Sequence, residues 1–418
     1  MKILALGGSG GMGRHAVKAL VSYEIAEQII IADIDEQRAR DTATQYAGQC
    51  GDTCSWTRVD VADPDSLASA LRKADVVVNT VGPFFRFGVP MLKACIEQGK
   101  HYIDICDDWE PTLEMLALDE TAKRAGVTAV IGMGVSPGVS NLLAVVAARN
   151  LDEVYEIYTA WDLDSAKPEK VGPRASAATV HGIYQMSRPI KIFDSGKFVF
   201  CQPLEKIVID YPGIGRLPAY SIGHPEAVTL SQRFPSLKRS VNVMMTSGFT
   251  LAGLRLFSWM IRSRIATLET CARWAERIEG PTDPDRTPEN MLRHMALAGR
   301  PMLPPLFALA IGKKDGRPAS VGVAMMSAPA GGMGPITGYP LAVGAYMMIR
   351  KGYSTPGVFA PESIFDPDDF LRALGPWCTP KIVDPDKLAL TTRSWEKTTF
   401  TEQLRVVYQD FKAEGMVG

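Results

Sequence analysis

The sequence predicts an α/β protein: a doubly wound parallel sheet followed by a second, α+β domain. Three observations predict it. Short apolar runs alternate with helical patterns through the first 135 residues, as strands alternate with crossover helices. A glycine cluster separates the first run from the first helix. Beyond residue 136 the apolar runs come in pairs joined by short polar turns, which is the pattern of hairpins.

Residues 2–6 form the first apolar run, and Gly7 to Gly13 the glycine cluster. Gly8, Gly10 and Gly13 fit G-x-G-x-x-G, in which absent side chains permit the tight turn, the approach of a pyrophosphate and close packing of helix on strand. Ser9, Gly11 and Met12 complete the turn. The helix that follows carries Ala16, Val17, Leu20 and Val21 on one face, and its amino end offers backbone N–H groups to phosphates. Residues 28–32 read as a second buried strand ending at Asp33, about twenty residues past the third glycine. A carboxylate there accepts from the adenosine ribose hydroxyls and repels a 2′-phosphate, so the expected cofactor is NAD, with NADP less favoured.

The alternation continues with a helix at 36–46, a strand at 55–59 and a helix at 64–73 with Pro64 in its first turn. Asp60 and Val61 follow the third strand, at the sheet edge where an adenine ring would lie. Asp60 either bonds the adenine amino group or caps the next helix. Residues 75–79 are a β-branched strand running into Asn79-Thr80-Val81-Gly82-Pro83-Phe84, beyond the carboxyl end where ligands of open α/β sheets bind. Asn79, Val81, Gly82, Pro83 and Phe84 are thus expected near the nicotinamide ribose. A helix at 90–98, a strand at 101–105, a helix at 111–125 and a strand at 127–131 complete the Rossmann domain, 1–135. A second glycine-rich turn, 132–138, then leads into a helix at 139–148.

The next domain, 136–334, is expected to hold antiparallel strands at 155–161, 190–193, 198–201 and 207–211, with 194–197 as a hairpin turn. Strands at 306–311 and 319–325 pair across 313–316. Residues 248–262 and 265–278 read as helices, and 281–288 as a loop rich in proline and aspartate. The carboxy-terminal segment, 335–418, contains an apolar helix at 339–350 and another at 367–374.

Composition excludes several classes. With 46% hydrophobic and 22% charged residues the chain is an ordinary globular one, and a net charge of −1 gives no general attraction to nucleic acid or anionic membranes. MKILALGG is no secretory signal, and the segments 241–261 and 320–349 are interrupted by Arg255, prolines and glycines, so no membrane span is expected. Seven scattered cysteines suggest reduced thiols in a cytoplasm. Cys50 and Cys54 lack a second ligand pair, so no metal is expected.

Taken together, the chain resembles the saccharopine dehydrogenase-like family, which includes lysine 6-dehydrogenases and carboxynorspermidine dehydrogenases. The likeness rests on Gly8 to Gly13, Asn79 to Phe84 followed by Ala94-Cys95, Gly99-Lys100-His101-Tyr102-Ile103-Asp104, Gly134 to Asn141, the Asp194 to Lys197 turn and Gly334-Pro335-Ile336-Thr337-Gly338-Tyr339-Pro340-Leu341-Ala342. The resemblance implies a Rossmann domain, a substrate domain that also makes a homodimer, and a carboxy-terminal stretch returning to the first domain. It implies action on C–N bonds of amino acids, opines or polyamine precursors, with the Val81 to Phe84 and Val135 to Gly138 loops, including Ser136, Pro137 and Gly138, lining the nicotinamide.

Oxidising a C–N bond needs a base for the amine proton and an anchor for the substrate's charges. His15, His101 and His294 sit in helix or strand contexts that suit packing. His181 and His224 remain, each either catalytic or a hydrogen-bonded structural histidine, with Glu226 placed to orient His224 or to act itself. Asp104, Asp107 and Asp108 follow a Rossmann strand and either hold a substrate ammonium or cap a helix. Arg174 and Arg216 are candidate carboxylate clamps. The short-chain dehydrogenase class is rejected, because its Tyr-x-x-x-Lys pair occurs only as Tyr408 and Lys412, far past the sheet. Two alternatives stay open: a non-enzymatic NAD-binding redox sensor, and a lipid-associated family member suggested by the apolar stretch 241–261.

Overall fold

In chain order, six short strands come first: β1 (Lys2–Leu6), β2 (Gln28–Asp33), β3 (Cys54–Arg58), β4 (Val76–Asn79), β5 (His101–Asp104) and β6 (Thr128–Val130). Eight more follow: β7 (Glu153–Asp162), β8 (Ile190–Asp194), β9 (Lys197–Cys201), β10 (Lys206–Tyr211), β11 (Gly215–Ile222), β12 (Arg239–Met245), β13 (Leu306–Lys314) and β14 (Arg317–Met325). Two more, β15 (Gly357–Phe359) and β16 (Ala389–Arg393), lie near the carboxy end. The computed structural model describes residues 1–50, 53–165, 175–278, 288–298, 301–353 and 355–413.

The chain divides into two units. Met1–Val139 and Met333–Phe365 form the first; Ser140–Gly332 and the residues from Asp366 on form the second. The first contains an all-parallel sheet in the order β15-β6-β5-β4-β1-β2-β3. Its central strands are buried on both faces, Ile3, Leu4, Val76, Val77, Tyr102 and Ile103 being 0% exposed, which is why they read as unbroken apolar runs. The helix Met333–Arg350 packs on Gly13–Ser22, and a Cβ on Gly338 would stand 2.4 Å from the Met12 carbonyl, so glycine is what permits the approach.

The second unit carries a mixed sheet ordered β10-β11-β12-β7-β13-β14-β16, with β8 on β12 and β9 on β8. The two expected hairpins form: β8–β9 turns through Ser195 and Gly196, and β13–β14 through Asp315 and Gly316, all four at positive φ as a two-residue turn of matching twist requires. The expectation of purely antiparallel strands is corrected, since β12 lies parallel to β7 at the centre of the sheet. The stretch 241–261 is likewise not one element: residues up to Met245 belong to β12, and Gly248–Arg262 is a separate helix capped by Ser247. The segment 335–418 does not return whole to the first unit. Its residues to Phe365 do so, but β16 pairs with β14 in the second sheet. Of the expected loop at 281–288, residues 281–287 lie outside the described residues, and Pro288 begins the helix Pro288–Ala298.

Candidate active site

The glycine turn is shaped by backbone sterics. Gly7 has φ +71°, and a Cβ on Gly13 would lie 2.1 Å from the Gly7 carbonyl oxygen, a clash with backbone that no rotamer relieves. A Cβ on Gly8 would lie 2.9 Å from the Ala5 carbonyl. Thr80, just past β4, donates to the carbonyls of Leu6 (3.0 Å) and Gly7 (3.1 Å), fastening the turn to the neighbouring strand. The helix begins at Gly13 with no side chain capping it, and a helix amino end can take an anion. Asp33 ends β2 half-buried: Ser9 Oγ donates to its Oδ2 at 2.5 Å and the Asp35 amide to its Oδ1 at 3.1 Å. The Arg38 guanidinium donates to the Ser9 carbonyl at 2.9 Å, placing a cation at the same corner. These residues fit a dinucleotide: a phosphate turn that side chains would fill, a helix amino end, and a carboxylate at the ribose position.

Asp60 accepts from the Ala62 amide, and the Ser66 hydroxyl accepts from the Asp60 amide, so Asp60 shapes its own loop while Asp63 caps the next helix. Beyond β4, Asn79 accepts from the Val81 amide at 2.9 Å, and Gly82 and Pro83 lead into the helix Phe84–Glu97. Beyond β6, the Gly134 amide donates to the Pro137 carbonyl at 2.8 Å, and Gly138 has φ +118° with no room for a Cβ, which would stand 2.1 Å from the Gly134 oxygen. Ser136, Pro137 and Gly138 are thus held in a closed turn. The expectation that Asp104 anchors a substrate is corrected. It is 0% exposed, turned into the sheet, and accepts from the amides of Cys106 (3.0 Å) and Gly132 (2.8 Å) and from Tyr102 Oη (2.8 Å). Burial pushes its carboxyl up to about 6. Asp107 is half-buried beside it, and the Asp108 carboxylate, 1% exposed, accepts from the Phe85 amide.

In the second unit the polar chemistry gathers around Glu226, which is 0% exposed at the start of the helix Glu226–Arg233. Its Oε1 accepts from Ser140 Oγ (2.7 Å) and Asn242 Nδ2 (3.1 Å), and its Oε2 lies 3.5 Å from His224 Nδ1. Asn242 also donates to Thr159 Oγ1, and Asn141 to Thr229 Oγ1. The carboxylate therefore faces the Nδ1 edge of the imidazole and directs its Nε2 edge away, the arrangement of a base with an orienting acid. The indole of Trp161 stands 5.8 Å from the His224 ring. His181 is buried on the helix Ala177–Gln185 of the same unit. Arg216 does not join this group: it is exposed at the start of β11, whereas His224 follows the end of that strand. The length of β11, roughly 20 Å of extended chain, separates them. Arg174 lies outside the described residues.

Sequence reasoning missed Ser140, Thr159 and Asn242. Asn242 carried a signal, since a lone amide within Val241-Asn242-Val243-Met244 needs a buried partner. Ser140 sits inside the Gly134 to Asn141 motif but offers no local reason to be polar.

Residues 3–130 match the model of the family described as the saccharopine dehydrogenase NADP binding domain. The chain is 24% identical over 397 residues to the carboxyaminopropylagmatine dehydrogenase of Synechocystis, covering 88% of this chain and 95% of that protein. It is 24% identical over 414 residues to the carboxynorspermidine synthase of Vibrio cholerae, covering 90% and 94%. By these matches the chain is similar to saccharopine dehydrogenase-like proteins. The solved saccharopine dehydrogenase (L-Glu forming) of Saccharomyces cerevisiae shares this fold, with a TM-score of 0.55 at 15% identity over 89% of this chain and 96% of that one. The first 130 residues of this chain thus resemble a nicotinamide-dinucleotide-binding domain, and the Synechocystis and Vibrio cholerae relatives carry polyamine-related names. The expected preference for NAD meets a counterweight in the NADP of the matched domain's description and in Arg38 beside Ser9. Among the described residues no helix is long and apolar enough to cross a membrane.

Proposed function

We propose that this protein is a nicotinamide-dependent oxidoreductase that transfers a hydride at a C–N bond of an amino acid, opine or polyamine precursor. The observation that carries the reading is the buried His224–Glu226 pair with Ser140 and Asn242 behind it. A buried carboxylate with two hydrogen-bond donors on one oxygen and an imidazole 3.5 Å from the other is costly to assemble, and such a pair suits proton transfer better than the binding of a nucleotide alone. The names of the two near full-length relatives, a carboxyaminopropylagmatine dehydrogenase and a carboxynorspermidine synthase, support the same chemistry.

In the oxidative direction a C–H bond of the amine carbon breaks and its electron pair leaves as hydride, while the amine nitrogen gives up its proton. The bound dinucleotide supplies the hydride acceptor. His224 takes the proton at Nε2, and Glu226 steadies the imidazolium through Nδ1. Water then adds to the C=N carbon and the C–N bond breaks, yielding a carbonyl compound and a free amine; the reductive direction reverses each step. On the Rossmann unit the Gly8 to Met12 turn holds the phosphates and Asp33 the adenosine ribose, so NAD is the proposed cofactor over NADP, with Arg38 the residue that would favour the phosphorylated form. The working molecule is proposed to be a homodimer, which sedimentation would test.

The test is absorbance at 340 nm with NAD or NADP across lysine, saccharopine, ornithine and carboxyalkylated polyamines. Turnover of one amine that vanishes in His224→Ala supports the reading. Dinucleotide binding with no turnover across the panel, in either direction, would favour the sensor.

A further inference from the structure

Asn79, Tyr102 and Asp104 are each 0% exposed, and β4 and β5 pair so that Asn79 stands opposite Asp104. Their side chains form one string: Asn79 Nδ2 donates to Tyr102 Oη at 2.8 Å, and Tyr102 Oη donates to Asp104 Oδ2 at 2.8 Å. At one end Asn79 Oδ1 accepts from the Val81 amide. At the other, Asp104 Oδ1 accepts from the amides of Cys106 and Gly132, and the Asp104 carbonyl accepts from Met133 at 2.7 Å. Three loops at the carboxyl ends of β4, β5 and β6 are thereby tied to a single string.

The direction of every bond in it follows from one group. An ionised carboxylate only accepts, so the lone tyrosine proton must point to Asp104. The tyrosine oxygen is then left to accept from Asn79. The Asn79 amide must in turn present its NH2 to Tyr102 and its oxygen to the Val81 N–H. We propose that Asp104 is a positioning residue which, through Tyr102 and Asn79, sets the polarity that holds the Val81 to Phe84 loop in its nicotinamide-binding form. The proposal rests on reading the first unit as a dinucleotide site.

Asp104→Asn is nearly isosteric but reverses the logic. The carboxamide keeps its one oxygen for the Cys106 and Gly132 amides and turns its NH2 toward Tyr102. Tyr102 then receives from both sides and its own proton has no acceptor, unless Asn79 turns over and sets its NH2 against the Val81 N–H. Protonation of Asp104 has the same consequence. Burial raises its carboxyl to about 6, Asp107 adding to the rise, while Tyr102 and the Cys106 and Gly132 amides oppose it. The other titratable groups around it are the Cys95 and Cys106 thiols, with Lys100 near Cys95 and Asp108 near Cys106.

The experiment compares binding of the full dinucleotide and of ADP-ribose, which lacks the nicotinamide, to the wild type and to Asp104→Asn and Tyr102→Phe, by calorimetry from pH 5 to 8. The expected result is dinucleotide affinity weakened about tenfold in both variants at pH 8, the scale of one buried hydrogen bond, with ADP-ribose affinity changed less than about twofold. Wild-type dinucleotide affinity should also fall as pH drops through about 6 while Asp104→Asn stays level. Equal binding by wild type and variants would overturn the proposal, and so would loss of both ligands together, which is what a merely structural role produces. A wild type that binds neither ligand would sink the dinucleotide reading itself.

Discussion

The glycine turn of the first unit and the Glu226 cluster of the second reach comparable order by opposite routes. The turn is seven consecutive residues, and what shapes it is backbone geometry: the Gly7 carbonyl leaves no space for a side chain on Gly13. The cluster draws Ser140, Thr159, His224 with Glu226, and Asn242 from four stretches that meet only after β7 and β12 pair in register, Thr159 opposite Asn242. A site built by local sterics writes itself into adjacent residues. One built by sheet pairing leaves single polar residues in apolar runs.

The comparison can be broken from the turn's side. Gly13→Ala forces a methyl group against the Gly7 carbonyl and Thr80, so dinucleotide binding should be abolished and the melting temperature should fall by several degrees, read by calorimetry. Binding at wild-type strength would mean the turn is far more pliant than its geometry. From the cluster's side, His224→Ala should lower kcat by about 10²- to 10⁴-fold with dinucleotide affinity unchanged. A variant retaining full kcat would remove the histidine from the chemistry.

Stability against pH sharpens the contrast in a third place. Asp104 rises from an ordinary 3.8 to about 6 in the folded chain. Below about 4 folded and unfolded chains both hold its proton; between about 4 and 6 only the unfolded chain has released it. Stability from this group is therefore lost as pH rises through that window, by ~3 kcal/mol, and is level above it. Urea titrations should find the slope in the wild type and not in Asp104→Asn.

Smaller effects follow at the periphery. Asp33→Ala should narrow the preference between NAD and NADP by about tenfold through lost ribose contacts, seen in competition binding. Arg216→Ala, on an exposed strand end, should change KM by less than about twofold; a larger rise in KM would bring that arginine back into substrate binding.

What the sequence disclosed follows the same division. Strands β1, β2 and β4 were legible because parallel strands buried on both faces are continuous apolar runs, and both hairpins because Asp-Ser-Gly-Lys and Lys-Asp-Gly-Arg carry the turn chemistry. β12 was hidden, since Val241 to Met245 runs into a helix with only Thr246 and Ser247 between, and periodicity cannot divide so short an apolar stretch. β15 was invisible for another reason: three residues, Gly357-Val358-Phe359, have no pattern, and only the vacant edge of β6 makes them a strand. Asp104 was misjudged because a carboxylate at a strand's carboxyl end reads as exposed, and nothing nearby in sequence announces the inward amides of Cys106 and Gly132.

That late strand bears on how the molecule is made. The first parallel sheet lacks its edge strand β15 until residue 359 has been synthesised, and the helix Met333–Arg350 that packs on Gly13–Ser22 also follows the whole of 140–332. A growing chain on the ribosome therefore carries β6 with an open edge while the whole of 140–332 is being added. Until Phe359 has been made, the edge of β6 that β15 will cover is open to pairing with other strands.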